Sequence, residues 1–342
     1  MKNFFDYTLD ELTDVYIKDY EQKKYRAVQT FKWLYEDKVE DVYHMTDIPF
    51  ALRERLVKDF QIGTLKEEEM KISPDGTRKY LFTLADGSAV ETVLMKYEFG
   101  NSVCVSTQVG CRMKCDFCAS SKLSFGRNLT SGEIVEQIVY ISRKIQDRIS
   151  NVVFMGIGEP FDNYDNVMRA IKIINEPHGL NIGARHITVS TSGLVPQIVK
   201  FANEGLQCNL SISLHATNDK VRDKLMPVNK AYNIETLMQA CRKYLEKTNR
   251  RITFEYALIA GVNDSTKDAC ALVDLLNGML CHVNLIPVNA IEGGEYRRPN
   301  QNVMMAFRDA LNNRGVTATI RRELGNEIDA ACGQLRRRYY EE

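Results

Sequence analysis

Nowhere in its 342 residues does the chain hold about 18 consecutive apolar residues, the run a membrane-spanning helix needs. An export signal is missing too. The opening Met1-Lys-Asn-Phe-Phe-Asp-Tyr-Thr-Leu-Asp reaches acidic side chains before an apolar leader could form, which predicts cytoplasmic residence and no membrane partner. Net charge is absent as well: Lys plus Arg and Asp plus Glu are both 45, so the overall field neither demands nor excludes a nucleic acid. Any nucleic-acid contact would have to rest on local patches. The nine cysteines are odd in number and carry no export context, which argues against a structural disulfide framework. What remains, 44% hydrophobic and 26% charged, is ordinary globular composition for one large core or for a large and a small domain.

Residues 1–72 read as short helices: Thr8-Leu-Asp-Glu11 has the form of a capping box, and Val28, Phe31 and Leu34 recur at helical spacing. No strand pattern interrupts this stretch. Over 73–98 two β-rich runs flank Asp86-Gly87, predicting a hairpin that links two domains. From 99 to 342, β-rich runs near 103–107, 151–155, 186–191, 208–213, 252–258, 282–287 and 316–321 alternate with helical segments. Ile134, Ile138, Ile141 and Ile145, for example, share one face of the segment opening at Ser131. That α/β rhythm predicts a partial parallel (β/α)6-type barrel with a small N-terminal helical accessory domain; a flat doubly wound sheet is the alternative.

Cys111-Arg-Met-Lys-Cys115-Asp-Phe-Cys118 places three thiols within eight residues, directly after a strand. Three thiolates ligate three irons of a [4Fe-4S] cubane and leave the fourth open, where S-adenosylmethionine (SAM) can chelate. A zinc site with Cys104 as fourth ligand is the competing reading, but structural zinc usually draws on two separated ligand pairs and no second C-x-x-C is present. At the next strand end, Met155-Gly-Ile-Gly158-Glu159-Pro160 offers close backbone approach and a carboxylate for the SAM amino group. A plain turn explains that segment equally well when it is taken alone. Further strand ends supply Ser190, then Ser213, Leu214 and His215, then Asn289. The recurrence of polar groups at the face where barrel enzymes bind ligands carries more weight than any one of them. By themselves Cys332 and Cys104 are ordinary small hydrophobes, and Glu91 is an exposed strand carboxylate.

Taken together, the cysteine motif, Gly158-Glu159-Pro160, Arg127-Asn-Leu-Thr130, Leu225-Met-Pro-Val-Asn229, Gly261-Val-Asn-Asp264 and the tail Ile328-Asp-Ala-Ala-Cys332-Gly-Gln-Leu335 resemble the RlmN/Cfr family of radical SAM RNA methyltransferases. The likeness runs along nearly the whole chain. It implies two SAM molecules per turnover: one methylates Cys332, and the other is cleaved at the cluster to a radical that takes hydrogen from the S-methyl group. The resulting carbon radical adds to an adenine carbon. Glu91 then removes the proton from that carbon, and Cys104 attacks Cys332 to release methylated RNA with a transient disulfide.

The chemistry suits its target, because the amidine-like carbons of adenine are electrophilic and resist ordinary SAM methylation. Pro160 and Leu285-Ile-Pro-Val-Asn289 look like the C2-methylating branch of the family, whereas the C8-methylating resistance branch typically has alanine after that glutamate. The implied partners are 23S rRNA, tRNA and an electron donor such as flavodoxin or ferredoxin. Lys23, Lys24 and Arg26 of the N-terminal helices are candidate phosphate contacts. Methylation at C8 and a non-catalytic, metal-stabilised RNA-binding module are the alternatives.

Overall fold

The computed structural model describes residues 1–122, 124–289, 294–322, 324–330 and 334. Three helices, α1 (Leu9–Lys18), α2 (Lys24–Tyr35) and α3 (Phe50–Asp59), open the chain. Thr8 and Glu11 close the expected capping box on α1, satisfying two backbone donors that a helix start leaves open. Two-residue strands β1 (Lys2–Asn3) and β2 (Phe60–Gln61) pair in parallel and clasp the unit. Its apolar side chains, among them Phe4, Phe31 and Tyr35, belong to the same core as those of the main sheet. The joint is specific: Asp6 accepts from the Gly132 amide at 2.7 Å, the N-terminal turn of α4 (Ser131–Ile145).

A ten-stranded sheet forms the rest. Strands β3 (Lys66–Ile72), β4 (Arg78–Thr83), β5 (Ala89–Tyr97) and β6 (Gly100–Cys104) run antiparallel to one another. From β6 the order continues in parallel through β7 (Ile149–Phe154), β8 (Ile187–Thr191), β9 (Asn209–Ser213), β10 (Ile252–Leu258), β11 (Cys281–Pro287) and β12 (Ala318–Ile320). Helices α4, α5 (Tyr164–Asn175), α6 (Val195–Ala202), α7 (Asp219–Leu225), α8 (Ile234–Thr248), α9 (Thr266–Leu276) and α10 (Gln301–Asn312) form the crossovers. The strand order is linear, and β3 and β12 are its two ends. The structure is thus a partial barrel preceded by a helical unit, and among the described residues no helix is long and apolar enough to cross a membrane.

One strand departs from the sequence reading. Residues 66–72 were expected within the helical stretch, yet Lys-Glu-Glu-Glu-Met-Lys-Ile forms β3. Its side chains are mostly exposed, so no apolar alternation marks it, and its conformation comes from pairing with β4 at the sheet edge, where charge is the usual protection against further pairing. The Asp86-Gly87 hairpin does form. It extends the sheet as β4 and β5, with Gly87 at φ 78° in its turn.

Alternation along the strands separates two faces. Tyr80, Phe82, Val90, Leu94, Val103 and Val105 join the core under the helices. On the opposite face Val93, Met95, Cys104 and Ile157 pack together with Val153 and Met155. Residues of the C-terminal tail, Leu324 and Ala330, complete this second cluster. They reach it because the tail turns back at Gly325, whose amide donates to Asp75 in the β3–β4 turn at 2.9 Å. Gly325 has φ 69°, and a Cβ there would stand 2.9 Å from Thr77 and 2.7 Å from Ala330, so glycine is required at this turn.

Candidate active site

Cys111, Cys115 and Cys118 all line one cavity at the carboxyl ends of the parallel strands. The loop that carries them is built tightly. Gly110, at φ 74°, lies so close to Ser124 that a Cβ would come within 2.3 Å of its carbonyl. Ser121 Oγ lies 2.5 and 2.7 Å from the carbonyls of Cys115 and Cys118. Asp116 is held from two sides: its amide donates to the Leu225 carbonyl at 3.0 Å, and its carboxylate accepts from Tyr296 Oη at 2.6 Å.

Burial pushes the Cys111 thiol up to about 12 and Cys115 well above the ordinary thiol range, with neighbouring thiols and Glu159 adding to the effect. Such sulfurs become thiolates only against added positive charge, which iron supplies. Among the described residues no three His, Cys, Asp or Glu side chains converge as they would around a single ion. A cubane takes one thiolate per iron and therefore spaces its ligands more widely. The donor set fits a three-cysteine cluster.

Gly158 and Glu159 come from the loop at the next strand end, after β7. Glu159 is buried in the cavity wall, and burial raises its carboxyl, although Ser192 and Phe161 both donate backbone N–H to it at 2.7 and 3.0 Å.

 Its own amide donates to Gln108 Oε1 at 2.8 Å, and Gln108 Nε2 reaches Asp162 and Asn128, so this side chain ties the strand end before the cysteines to the Glu159 loop. The glycines here serve packing first. A Cβ on Gly156 would lie 2.6 Å from the Val105 carbonyl, and one on Gly158, at φ 107°, 2.6 Å from Gln108 Cβ. Both glycines also border the cavity.

Ser190, Ser213, His215 and Asn289 line the same cavity. Leu214 does not: its side chain is buried in the core, and its carbonyl accepts from Arg222 Nε at 3.1 Å. His215 stands at φ 55° with its Nδ1 accepting from the Ala257 amide at 2.8 Å, and burial lowers it to about 3. It is therefore a neutral imidazole protonated on Nε2.

Three contributors escaped the sequence reading. Gln108 is one. Arg222 on α7 is fully buried and donates to the carbonyls of Ser192, Ser213 and Leu214 and to Asn229, gathering the ends of β8 and β9; burial lowers it to about 10. Glu255 on β10 is a buried cavity carboxylate, raised by burial, that accepts from Asn284 at 2.7 Å. A lone arginine on a short polar helix and a lone glutamate in an apolar strand carry no spacing signal, which is why neither was found.

Glu91 and Cys104 lie on the inner sheet face. Val93 pairs with Cys104 across β5 and β6, and Glu91 is two residues from Val93 on the same side of β5. Glu91 is only 4% exposed, so the exposed-carboxylate reading is replaced by a buried one. Met155 borders the cysteine-lined cavity and also packs with Cys104, joining the two regions. Cys332 lies outside the described residues, but Ala330 packs in the Cys104 cluster. No disulfide joins any two described cysteines, so a disulfide finds no support here. Lys23 and Lys24 are exposed, whereas Arg26 is engaged by Gln29 and the Asp47 carbonyl.

Residues 105–273 match the model of the radical SAM superfamily, and residues 2–62 match that of the ribosomal RNA large subunit methyltransferase N-terminal domain. A "Probable dual-specificity RNA methyltransferase RlmN" of Thermoanaerobacter sp. (strain X514) is 53% identical over 343 residues, covering 100% of both chains. The chain belongs to the RlmN family of the radical SAM superfamily. A relative of the same description from Bacillus subtilis (strain 168) is 51% identical over 98% of this chain and 93% of its own length. The crystal structure of a radical SAM methyltransferase from Sphaerobacter thermophilus superposes with a TM-score of 0.94 at 45% identity, covering 98% of this chain and 99% of that one. The family's N-terminal domain thus corresponds to the unit built from α1, α2 and α3.

Proposed function

We propose that this protein methylates C2 of an adenosine in 23S rRNA and in tRNA, with Cys332 as the carbon carrier. The observation that carries the reading is the inner face itself, where Glu91, Cys104 and the incoming tail meet beside the cavity lined by the three cysteines. Membership of the RlmN family supports it, as do the relatives described as dual-specificity RNA methyltransferases.

Cys111, Cys115 and Cys118 would hold a [4Fe-4S] cluster, which when bound supplies the electron that cleaves SAM to a 5′-deoxyadenosyl radical. The chain's own residues do the rest. Glu159 receives the SAM ammonium, with Ser190, Ser213, His215 and Asn289 around the remainder of the ligand. Cys332 accepts a methyl group, loses one hydrogen from it and forms the bond to the adenine carbon. Glu91 takes the proton from that carbon, and Cys104 is the thiol that frees Cys332. The N-terminal unit is an accessory RNA-binding surface, Lys23 and Lys24 its phosphate contacts, and a flavodoxin or ferredoxin the reductant. The setting is cytoplasmic.

Glu159→Ala is expected to weaken SAM binding by about 10- to 100-fold, the worth of a hydrogen bond to a charged group, while iron content stays unchanged. Equilibrium binding of SAM alongside iron analysis checks this, and undiminished affinity would make the loop purely structural. For the product, nucleosides from cells lacking and re-expressing the protein are compared by mass spectrometry. 2-Methyladenosine should vanish and return in both rRNA and tRNA. 8-Methyladenosine would move the chain to the C8 branch, and unchanged RNA would end the proposal.

A further inference from the structure

One buried cation on the inner face has no place in the scheme so far. Lys79 pairs with Val93 across β4 and β5, which puts it on the same side as Glu91 in a diagonal cross-strand position. Its Nζ stands 3.2 Å from Glu91 Oε1, and the two side chains are 6% and 5% exposed. The same Nζ donates to the Asp329 carbonyl at 3.3 Å, three residues before Cys332. A single ammonium thus grips both a buried carboxylate and the tail.

Burying an ion pair costs desolvation, and an apolar pair of similar volume is often as stable or more so, so stability alone does not explain a lysine here. We propose that Lys79 is a positioning residue: it keeps Glu91 ionised for proton removal and docks, through the Asp329 carbonyl, the tail segment that precedes Cys332. This rests on Glu91 being the base, as argued above. Among the described residues, the titratable and charged groups that the strands bring to this face are Lys79 from β4, Lys71 and Glu69 from β3, which pair with each other at 3.2 Å, and the Cys104 thiol from β6, while the tail approaches through the Asp329 carbonyl. On the side facing α4, Thr92 and Ser106 are instead met by the neutral Gln137.

Two substitutions separate the roles. Lys79→Gln removes the charge but keeps a donor for the Asp329 carbonyl, whereas Lys79→Met removes both. Without the cation a buried carboxyl rises, and because the base acts ionised, the rate of adduct release should need a higher pH. The full-length, cluster-reconstituted protein is given SAM, a strong one-electron reductant and an rRNA fragment, and release of the protein–RNA adduct is followed in single turnover across pH. Methylation of Cys332 is read separately from peptide mass.

In Lys79→Gln the acid limb should move up by about one pH unit, making release roughly tenfold slower below it, with Cys332 methylated at the wild-type rate. Lys79→Met should show the same shift and also slow methylation of Cys332, and Lys79→Arg should restore the wild-type limb. A limb that stays in place in Lys79→Gln overturns the proposal, as does a shifted limb in Lys79→Arg. Should Lys79→Met fail to fold, the glutamine and arginine variants still decide. Wild-type protein that forms neither adduct nor methylated RNA would remove the underlying function instead, a distinguishable failure.

Discussion

Cys111→Ala, Cys115→Ala or Cys118→Ala each abolishes cluster binding and reductive cleavage of SAM, and with them RNA methylation. The expectation follows from the shared cavity and from the ligand count: with only three protein ligands, loss of any one leaves two, too few to hold the cubane against exchange. The wild-type protein purified without oxygen should carry about four irons and four sulfides per chain. Iron and sulfide analysis with the brown absorbance band, together with 5′-deoxyadenosine formation under a strong reductant, reads both effects. Full iron loading in the triple variant would show that the metal is held elsewhere. Because burial opposes ionisation of these thiols, metal loading should also fall away as pH drops, since each ligand must shed a proton to bind.

Much of this arrangement was legible in the residues. The parallel rhythm from β6 to β12 was visible because each buried strand is a short β-rich run between helices with clear apolar stripes, as in α4 with Ile134, Ile138 and Ile141 buried. The cysteine motif announced itself by spacing, and the hairpin by Asp86-Gly87. What stayed hidden depends on partners far along the chain. Strand β3 is charged and gains its conformation from β4; Gln108 matters through Glu159, fifty-one residues on. Lys79 reads as one more surface cation in Arg78-Lys79-Tyr80, and only the register of β4 against β5, with the tail folded back over it, turns it inward to Glu91. At Leu214 the side chain is buried, and the carbonyl accepts from Arg222, a partner eight residues on that its motif does not show.

The second large effect separates the two remaining cysteines by where the reaction stops. Cys332→Ala is expected to abolish methyl transfer to protein and RNA alike, because under the proposal no thiol remains to carry the carbon. Cys104→Ala is expected still to accept a methyl group on Cys332 and then to stall as a covalent protein–RNA complex that resists SDS and vanishes with nuclease. The proposed resolving role is supported by the position of Cys104 on the inner face, where Ala330 of the tail packs in the same cluster. Glu91→Gln should stall at the same stage, since the adduct cannot resolve until its adenine carbon loses a proton. Normal turnover by Glu91→Gln would make the Lys79–Glu91 pair a structural element only.

The most direct test of a cysteine-borne carbon is peptide mass analysis of the stalled Cys104→Ala protein after nuclease and protease digestion. The tail peptide containing Cys332 should carry one adenosine nucleotide joined to its sulfur through a single carbon, and the other cysteine peptides should be unmodified. An unmodified Cys332 peptide in a Cys104→Ala protein that continues to methylate RNA would contradict the account.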